Sequence, residues 1–205
     1  MSKSFPAIKT CVICQSESVH ICICSAHALG LPDLDFRPAA PARFLLPYNI
    51  QRCPVCGYVA KDISAPFAGN SAFVYSIYYN ACGFTGFHGV AGDFYRAYLL
   101  AKECGDEEEQ IRFLRLAAWS CDDIGDERRA ALCRRKAAVL LRSMSQDAGK
   151  VLRADFLRRT LQFDRLLSEY DTFTVEEPLY NDIIEFELRL AKEHDARCYS
   201  IQAAR

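Results

Sequence analysis

The sequence predicts a mainly α-helical protein that begins with a small, cysteine-rich module. Seven of the eleven cysteines precede residue 83, and seven of the eight prolines precede residue 67. From residue 93 onward the chain is rich in Ala, Leu, Arg and Glu, which favour helices. We therefore predict a loop-rich module over residues 1–68 and a helical domain over residues 69–205.

The first module contains few signals for regular structure. Val19, Ile21 and Ile23 alternate with other residues, a pattern that predicts a short strand over residues 19–24. The Phe-Leu-Leu run at 44–46 indicates a second extended piece. Four prolines between residues 31 and 47 predict loop for most of that stretch. A segment of this kind buries little apolar surface, and a bound metal often stabilises such small cores.

Two Cys-x-x-Cys pairs form the strongest chemical motif in the chain. They are Cys11 with Cys14 and Cys53 with Cys56, and Gly57 follows the second pair. Two cysteines at this spacing can direct both sulfur atoms at one ion, so two pairs supply a closed tetrahedral shell. We therefore predict one structural zinc ion held by these four cysteines.

Three alternatives to this site remain open. The four thiols could be buried without a metal. They could instead bind iron, since Cys53 to Tyr58 (Cys-Pro-Val-Cys-Gly-Tyr) is similar to a rubredoxin knuckle, although Gln15 after the first pair fits that family less well. Cys22 and Cys24, with His20 and His27 near them, could replace one of the four ligands or form a second site with Cys82 or His88. The strand pattern favours packing of Cys22 and Cys24 as small apolar side chains instead.

The second half of the chain contains the helix signals. Residues 71–81 favour a helix over a strand, and the glycines at 83, 86, 89 and 92 predict a flexible connection. Asp93 is a candidate N-cap for a helix that ends before Gly105. Further helices are predicted over 107–124, from 126, and over about 148–161, 162–170 and 177–194, with a terminal strand at 198–201. Gly-Asp turns between such helices favour antiparallel hairpins resembling tetratricopeptide units, although no clean repeat of about 34 residues is present.

Charge and hydropathy restrict the functional classes. The chain has 25 basic and 26 acidic side chains, so it lacks the basic surplus with which proteins bind nucleic-acid backbones. The basic run 128–136 predicts a solvent-exposed helix face, which could also dock an acidic partner or RNA. No stretch approaches the roughly 20 apolar residues of a membrane span, and the N-terminus lacks a signal-peptide core. We expect a cytoplasmic protein that does not bind a membrane.

The sequence identifies no catalytic group. Cys82 and His88 are a conceivable nucleophile pair, but no electropositive setting that would activate the thiol is visible. The functional prediction is an intracellular zinc-binding adaptor module with a protein partner. The alternatives are a rubredoxin-like iron protein that transfers electrons, and an RNA-binding or enzymatic role.

Several segments of the chain together form a recognisable pattern. They are residues 34–38 with Pro41 and Arg43, residues 52–58, 117–119, 121–123, 155–159 and 162–164. This pattern resembles a bacterial family described only as a domain of unknown function, which pairs a cysteine-rich, zinc-ribbon-like start with tetratricopeptide-like helices. The resemblance spans roughly residues 11–200 and implies a bacterial cytoplasmic protein without a known reaction. It also implies a zinc-ribbon-like module packed on a tetratricopeptide-like helical bundle.

Overall fold

The computed structural model describes residues 3–82 and 86–205, and these residues are mainly helical, as the sequence predicts. Contacts divide the chain into two compact units. Unit 1 contains residues 1–27 and 41–130, and unit 2 contains residues 28–40 and 131–205. The predicted boundary at 68/69 stays a prediction, because a contact-based unit is not a separately folding domain.

Two small antiparallel hairpins form the start of unit 1. The first pairs β1 (Lys3–Thr10) with β2 (Glu17–Ser25), and the second pairs β3 (Gln51–Arg52) with β4 (Val59–Ala60). Strand β2 was predicted, whereas β1 was not. Two-stranded hairpins are at best marginally stable alone, so these two depend on the contacts that join them.

The helices follow the second hairpin and occupy most of the remaining chain. The α-helices are α1 (Ile77–Asn80), α2 (Gly89–Glu103), α3 (Glu107–Asp123), α4 (Glu127–Leu140), α5 (Asp147–Arg159), α6 (Phe163–Tyr170) and α7 (Pro178–Lys192). None of the helices in the described ranges is both long and apolar enough to cross a bilayer. The tetratricopeptide-like packing of these helices stays a prediction.

Helix α2 starts one turn earlier than predicted, at Gly89 rather than after Asp93. A Cβ atom at Gly92 would lie 2.7 Å from the carbonyl oxygen of Phe87, so this glycine permits a close approach of backbone. Asp93 lies inside the helix. Its Oδ1 atom is 3.4 Å from Nη1 of Arg96 and 3.5 Å from Nη1 of Arg52. The predicted flexible connection is therefore wrong for residues 89 and 92, while residues 83–85 lie outside the described ranges.

The segment 28–40 belongs to unit 2, although it connects the two cysteine pairs in sequence. Leu34 is fully buried there, and its N–H donates to the carbonyl oxygen of Tyr199 over 2.9 Å. The buried Asp35 carboxylate lies 3.0 Å from Arg159 and 3.7 Å from Arg134. Arg134 is buried, which corrects the prediction that the basic run 128–136 is entirely solvent-exposed.

A second buried ion cluster joins α5 to α7 in unit 2. The Arg158 guanidinium is fully buried, pairs with Glu187, and lies 3.1 Å from Asp155. It also donates to the carbonyl oxygens of Asp195 and Arg197, at 2.9 and 2.7 Å. Burial raises the pKa of Glu187 to about 8, with a further contribution from Asp155, while Arg158 opposes the increase.

Two short segments differ from the sequence prediction. The residues expected to form an extended piece at 44–46 lie in a 3-10 helix, Ala42–Asn49. The expected terminal strand is reduced to one bridge between Asp33 and Ser200, and Ile201–Ala204 form another 3-10 helix. Short 3-10 helices of this kind have no periodicity long enough to be recognised in sequence.

Candidate metal centre

The structure brings together the sulfur atoms of Cys11, Cys14, Cys53 and Cys56, all within 4.8 Å of one another. Cys11 Sγ lies 3.7 Å from Cys56 Sγ, and Cys14 Sγ lies 3.6 Å from Cys53 Sγ. Four sulfurs bound tetrahedrally at about 2.3 Å from one zinc ion would lie about 3.8 Å apart. Disulfide-bonded sulfurs lie only about 2.05 Å apart. The cluster therefore has the dimensions of a four-thiolate metal shell.

Each cysteine pair occupies the tip of one hairpin. Residues 11–16 connect β1 to β2, and we call them the first knuckle; residues 53–58 connect β3 to β4 and form the second. Their backbones follow the same path. Gln15 N–H donates to the Cys11 carbonyl oxygen over 2.9 Å, and Gly57 N–H donates to the Cys53 carbonyl oxygen over 3.0 Å.

Both knuckles turn through a left-handed residue directly after the second cysteine. This residue is Gly57 in one knuckle, with φ of 75°, and Gln15 in the other, with φ of 60°. A non-glycine residue in this region is strained by about 1–2 kcal/mol. The first knuckle therefore adopts the same backbone turn as the second, although it has Gln15 at the position where the second has Gly57.

Backbone N–H groups point at the sulfurs in the same way in both knuckles. Cys11 accepts from the N–H groups of Ile13 and Cys14, and Cys53 accepts from those of Val55 and Cys56. The second sulfur of each pair accepts from the peptide two residues further on, at Ser16 and Tyr58. Such donors stabilise negative charge on sulfur and orient metal-bound thiolates.

Ser16 adds a hydroxyl to the cluster that sequence reasoning missed. Its Oγ lies 3.1 Å from Cys14 Sγ and 3.2 Å from Cys53 Sγ. This hydroxyl is the main cause of the lowered pKa of the Cys14 thiol. Burial alone raises the pKa of Cys53, but Ser16 and the backbone donors outweigh that effect and lower it to about 6.

Burial dominates at the other two thiols. It raises the pKa of Cys11 and that of Cys56, although backbone N–H groups oppose the increase at both residues. The thiols thus differ in how readily they ionise, and a divalent cation at their centre would favour the thiolate form of all four. Binding such a cation would compensate the negative charge of the thiolates.

Two contacts fix the knuckles to the rest of unit 1. The buried Tyr79 hydroxyl donates to the Gly57 carbonyl oxygen over 2.8 Å, which holds the second knuckle. Val12 N–H donates to the Ile63 carbonyl oxygen over 2.9 Å, which holds the first. Ile63 N–H in turn donates to the side-chain oxygen of the buried Gln51 over 3.1 Å. The thiols are therefore held by two independently anchored turns.

The remaining candidate ligands do not gather around a second centre. Within residues 3–82 and 86–205, the four-cysteine cluster is the one group of three or more His, Cys, Asp or Glu side chains with metal-binding spacing. His20 Nε2 lies 2.8 Å from Ser18 Oγ, and Cys22 Sγ lies 3.7 Å from Gln51 Nε2. Cys82 is buried, which raises the pKa of its thiol and disfavours a role as a nucleophile. None of the eleven cysteines, all of which lie in the described ranges, forms a disulfide bond.

The closed geometry limits the chemistry of the centre. Four protein sulfurs complete a tetrahedral shell, so a bound ion has no open position for substrate or water. Cys11 and Cys53 are fully buried, and the other two thiols are partly exposed. The arrangement suits a metal that crosslinks two hairpins. No family model, curated protein or solved structure is similar enough to this chain to count as a match.

Proposed function

We propose that this protein is a cytoplasmic adaptor in which one zinc ion, bound by Cys11, Cys14, Cys53 and Cys56, braces a surface for protein partners. Tetrahedral thiolates suit zinc and iron alike. Zinc is the better match to a bracing role, because it has no redox change and no geometric preference of its own. The resemblance to a bacterial family with a zinc-ribbon-like start and tetratricopeptide-like helices is consistent with this proposal.

The observation that carries the proposal is the apolar surface exposed beside the closed cluster. Val55 lies at the tip of the second knuckle and is exposed. Just before and at the start of α1, Tyr75, Ile77 and Tyr78 are also exposed, the last two at 78%. Apolar side chains that cluster on a surface are typical of protein interaction sites, and aromatic residues contribute strongly to binding there.

A second exposed apolar surface lies on the first hairpin. Ile8 is directly opposite Val19 in the strand register, and Pro6 is opposite Ile21. Ile8, Val19 and Ile21 are all exposed, whereas their inward-facing neighbours Ala7, Ser18 and His20 are partly buried. The hairpin therefore presents an apolar face to solvent, which favours a binding role over a solely structural one.

Site-specific crosslinking tests the adaptor function. A photoreactive phenylalanine analogue at position 78 should crosslink to a small set of proteins in cells, and the analogue at position 8 should crosslink to the same set. The same analogue at exposed position 202 is the control and should not capture them. Identical adduct patterns at all three positions, or none at any, would contradict an adaptor role. An intense visible absorption in the purified protein would favour the iron alternative, because zinc tetrathiolates are colourless.

A further inference from the structure

An open cleft in unit 1 begins at Tyr58 of the second knuckle, and none of the four clustered cysteines lines it. Its volume is about 650 Å³, within the range of ligand sites. One wall is the segment 58–68, and the other comes from α2 and the beginning of α3. The cleft is open to solvent along its surface, whereas small-molecule sites enclose most of their ligand. An open cleft is better suited to side chains of a protein partner.

The floor of the cleft is apolar. Ala97, Leu100, Ala101 and Phe113 contribute from the helices, and all four are buried. Phe67 contributes from the opposite wall, and its ring centroid lies 5.5 Å from that of Tyr58. These surfaces can accept a large apolar side chain.

The wall at Phe67 is closely packed. A Cβ atom at Gly69 would lie 2.6 Å from the Phe67 ring and 2.8 Å from Cys104 Sγ, so this position has no room for a side chain. Glycine at residue 69 therefore lets the segment approach α2 closely enough to form the cleft. The wall of the cleft at Phe67 is therefore a closely packed segment and not a loose loop.

The charges beside the cleft are mostly acidic. Residues 103–109 contain five acidic side chains, of which Asp106 and Glu109 line the cleft; the other three are Glu103, Glu107 and Glu108. Acidic residues in the first turn of α3 also stabilise that helix. Glu103 is the last residue of α2, where the helix dipole disfavours negative charge, so it does not stabilise its own helix.

Ion pairs neutralise two of the acids at the cleft. Glu109 lies 2.7 Å from Arg112, and Asp62 lies 2.6 Å from Lys9. Lys61 also lines the cleft and adds a positive charge on the opposite wall. Glu103 and Glu108 are exposed at the α2–α3 turn and make no ion pair within the described residues. The end of the cleft at this turn therefore carries excess negative charge.

We propose that this cleft binds a protein segment in which a large apolar side chain is flanked by lysine or arginine. The apolar side chain would occupy the floor between Phe67 and Phe113, and the basic residues would face the acidic α2–α3 turn. This inference deepens the proposed adaptor function and rests on it, because it assigns the partner's chemistry.

A binding assay with defined peptides tests the proposal. The probe is a short fluorescein-labelled peptide with a central Phe between Lys and Arg residues, and anisotropy reports its affinity. One comparison peptide has Ser in place of Phe, and another has Glu in place of every basic residue. The proposal expects both comparison peptides to bind at least tenfold more weakly than the probe.

Two protein variants locate the binding. Ala68→Trp fills the cleft from an exposed position on its wall, and Ala72→Trp is the matched exposed control outside it. Ala68→Trp should weaken binding of the probe at least tenfold, and Ala72→Trp should not.

A charge-reversal variant tests the acidic turn. Glu103→Lys combined with Glu108→Lys should weaken binding of the probe by about tenfold at low salt and by less at high salt. Glu127→Lys, in the first turn of α4, is the charge control and should bind normally.

Several outcomes would overturn the proposal. They are equal binding of all three peptides, normal binding by Ala68→Trp, or no binding of the probe at millimolar concentration. Displacement of the probe by a single-stranded RNA would assign the cleft to nucleic acid instead. Self-association abolished by Ala68→Trp would assign it to a second copy.

Crosslinking of Ala68→Trp separates this inference from the adaptor function. If position 78 captures the same partners in that variant and the probe assay fails, the adaptor function stands and the cleft assignment is wrong. If the parent captures no partner, the adaptor function itself fails.

Discussion

Replacement of Cys53 by serine should remove the metal and destabilise the protein together. Cys53 is fully buried, lies 3.6 Å from Cys14 Sγ, and accepts hydrogen bonds from Ser16 and two backbone N–H groups. A serine hydroxyl at this position is a far weaker zinc ligand than a thiolate. We expect the zinc content of purified Cys53→Ser protein to fall from about one ion per chain to a small fraction.

The size of the destabilisation follows from a metal that only the folded chain can bind. Cys14 and Cys53 are 39 residues apart in sequence, so the unfolded chain does not hold the four thiols together. A ligand that binds only the folded state stabilises it by about 4 kcal/mol when its free concentration is about a thousand times its dissociation constant. That is a large part of the 5–15 kcal/mol that stabilises a typical folded protein.

Urea unfolding with and without a strong chelator measures this effect. The zinc-loaded parent should exceed Cys53→Ser by about 4 kcal/mol in unfolding free energy, and the difference should shrink to about 1 kcal/mol or less once metal is removed. Cys22→Ser is the matched control, because Cys22 is partly buried in the first hairpin, which also holds Cys11 and Cys14, and lies outside the cluster. It should retain about one zinc ion. A Cys53→Ser protein with full zinc content, or a loss of stability that persists in chelator, would refute the reasoning.

Three further substitutions test separate parts of the structure. Gln15→Gly should stabilise the protein by about 0.5–1 kcal/mol in urea unfolding, because it relieves a left-handed residue; destabilisation would show that Gln15 is not strained. Ser16→Ala should raise the pKa of the partly exposed Cys14 thiol, which this hydroxyl lowers, so metal-free protein should alkylate at Cys14 more slowly near pH 7, as mass spectrometry would measure; an unchanged rate would exclude the hydroxyl as the cause. Arg158→Met should cost about 3–5 kcal/mol, because it leaves buried carboxylates unpaired, and adding Glu187→Met should recover part of that loss. Arg158 opposes the raised pKa of Glu187, so Arg158→Met should raise that pKa above about 8, and the penalty should be nearly constant at lower pH and grow as the pH rises above about 8; a penalty that does not change above that pH, or additive losses, would contradict this expectation.

The sequence predicted those features that depend on local pattern. Helix α3 was expected over 107–124 and is found at Glu107–Asp123, because Asp106 caps it and its apolar residues recur at helical spacing. The Cys-x-x-Cys spacing likewise predicted that four thiols would gather, since each pair is a local turn. Strand β1 was not predicted because it contains Pro6 and because its polar residues interrupt the alternation of apolar and polar residues that identifies a strand.

Features that depend on distant residues were not accessible from sequence. Nothing in residues 28–40 indicates that Asp35 will pair with Arg159, which lies 124 positions away. Arg158 is a charged residue and would be expected at the surface, yet it is fully buried because Glu187 and two carbonyl oxygens compensate its charge. Ser16 was missed because its role depends on Cys53 in the other hairpin.

X-ray absorption at the zinc edge of the purified parent protein tests the central claim most directly. The account predicts about one zinc ion per chain, surrounded by four sulfur atoms at about 2.3 Å and by no nitrogen or oxygen ligand. A shell with fewer than four sulfurs, or a purified protein that contains no bound metal, would contradict the claim that these two hairpins are joined by a metal ion.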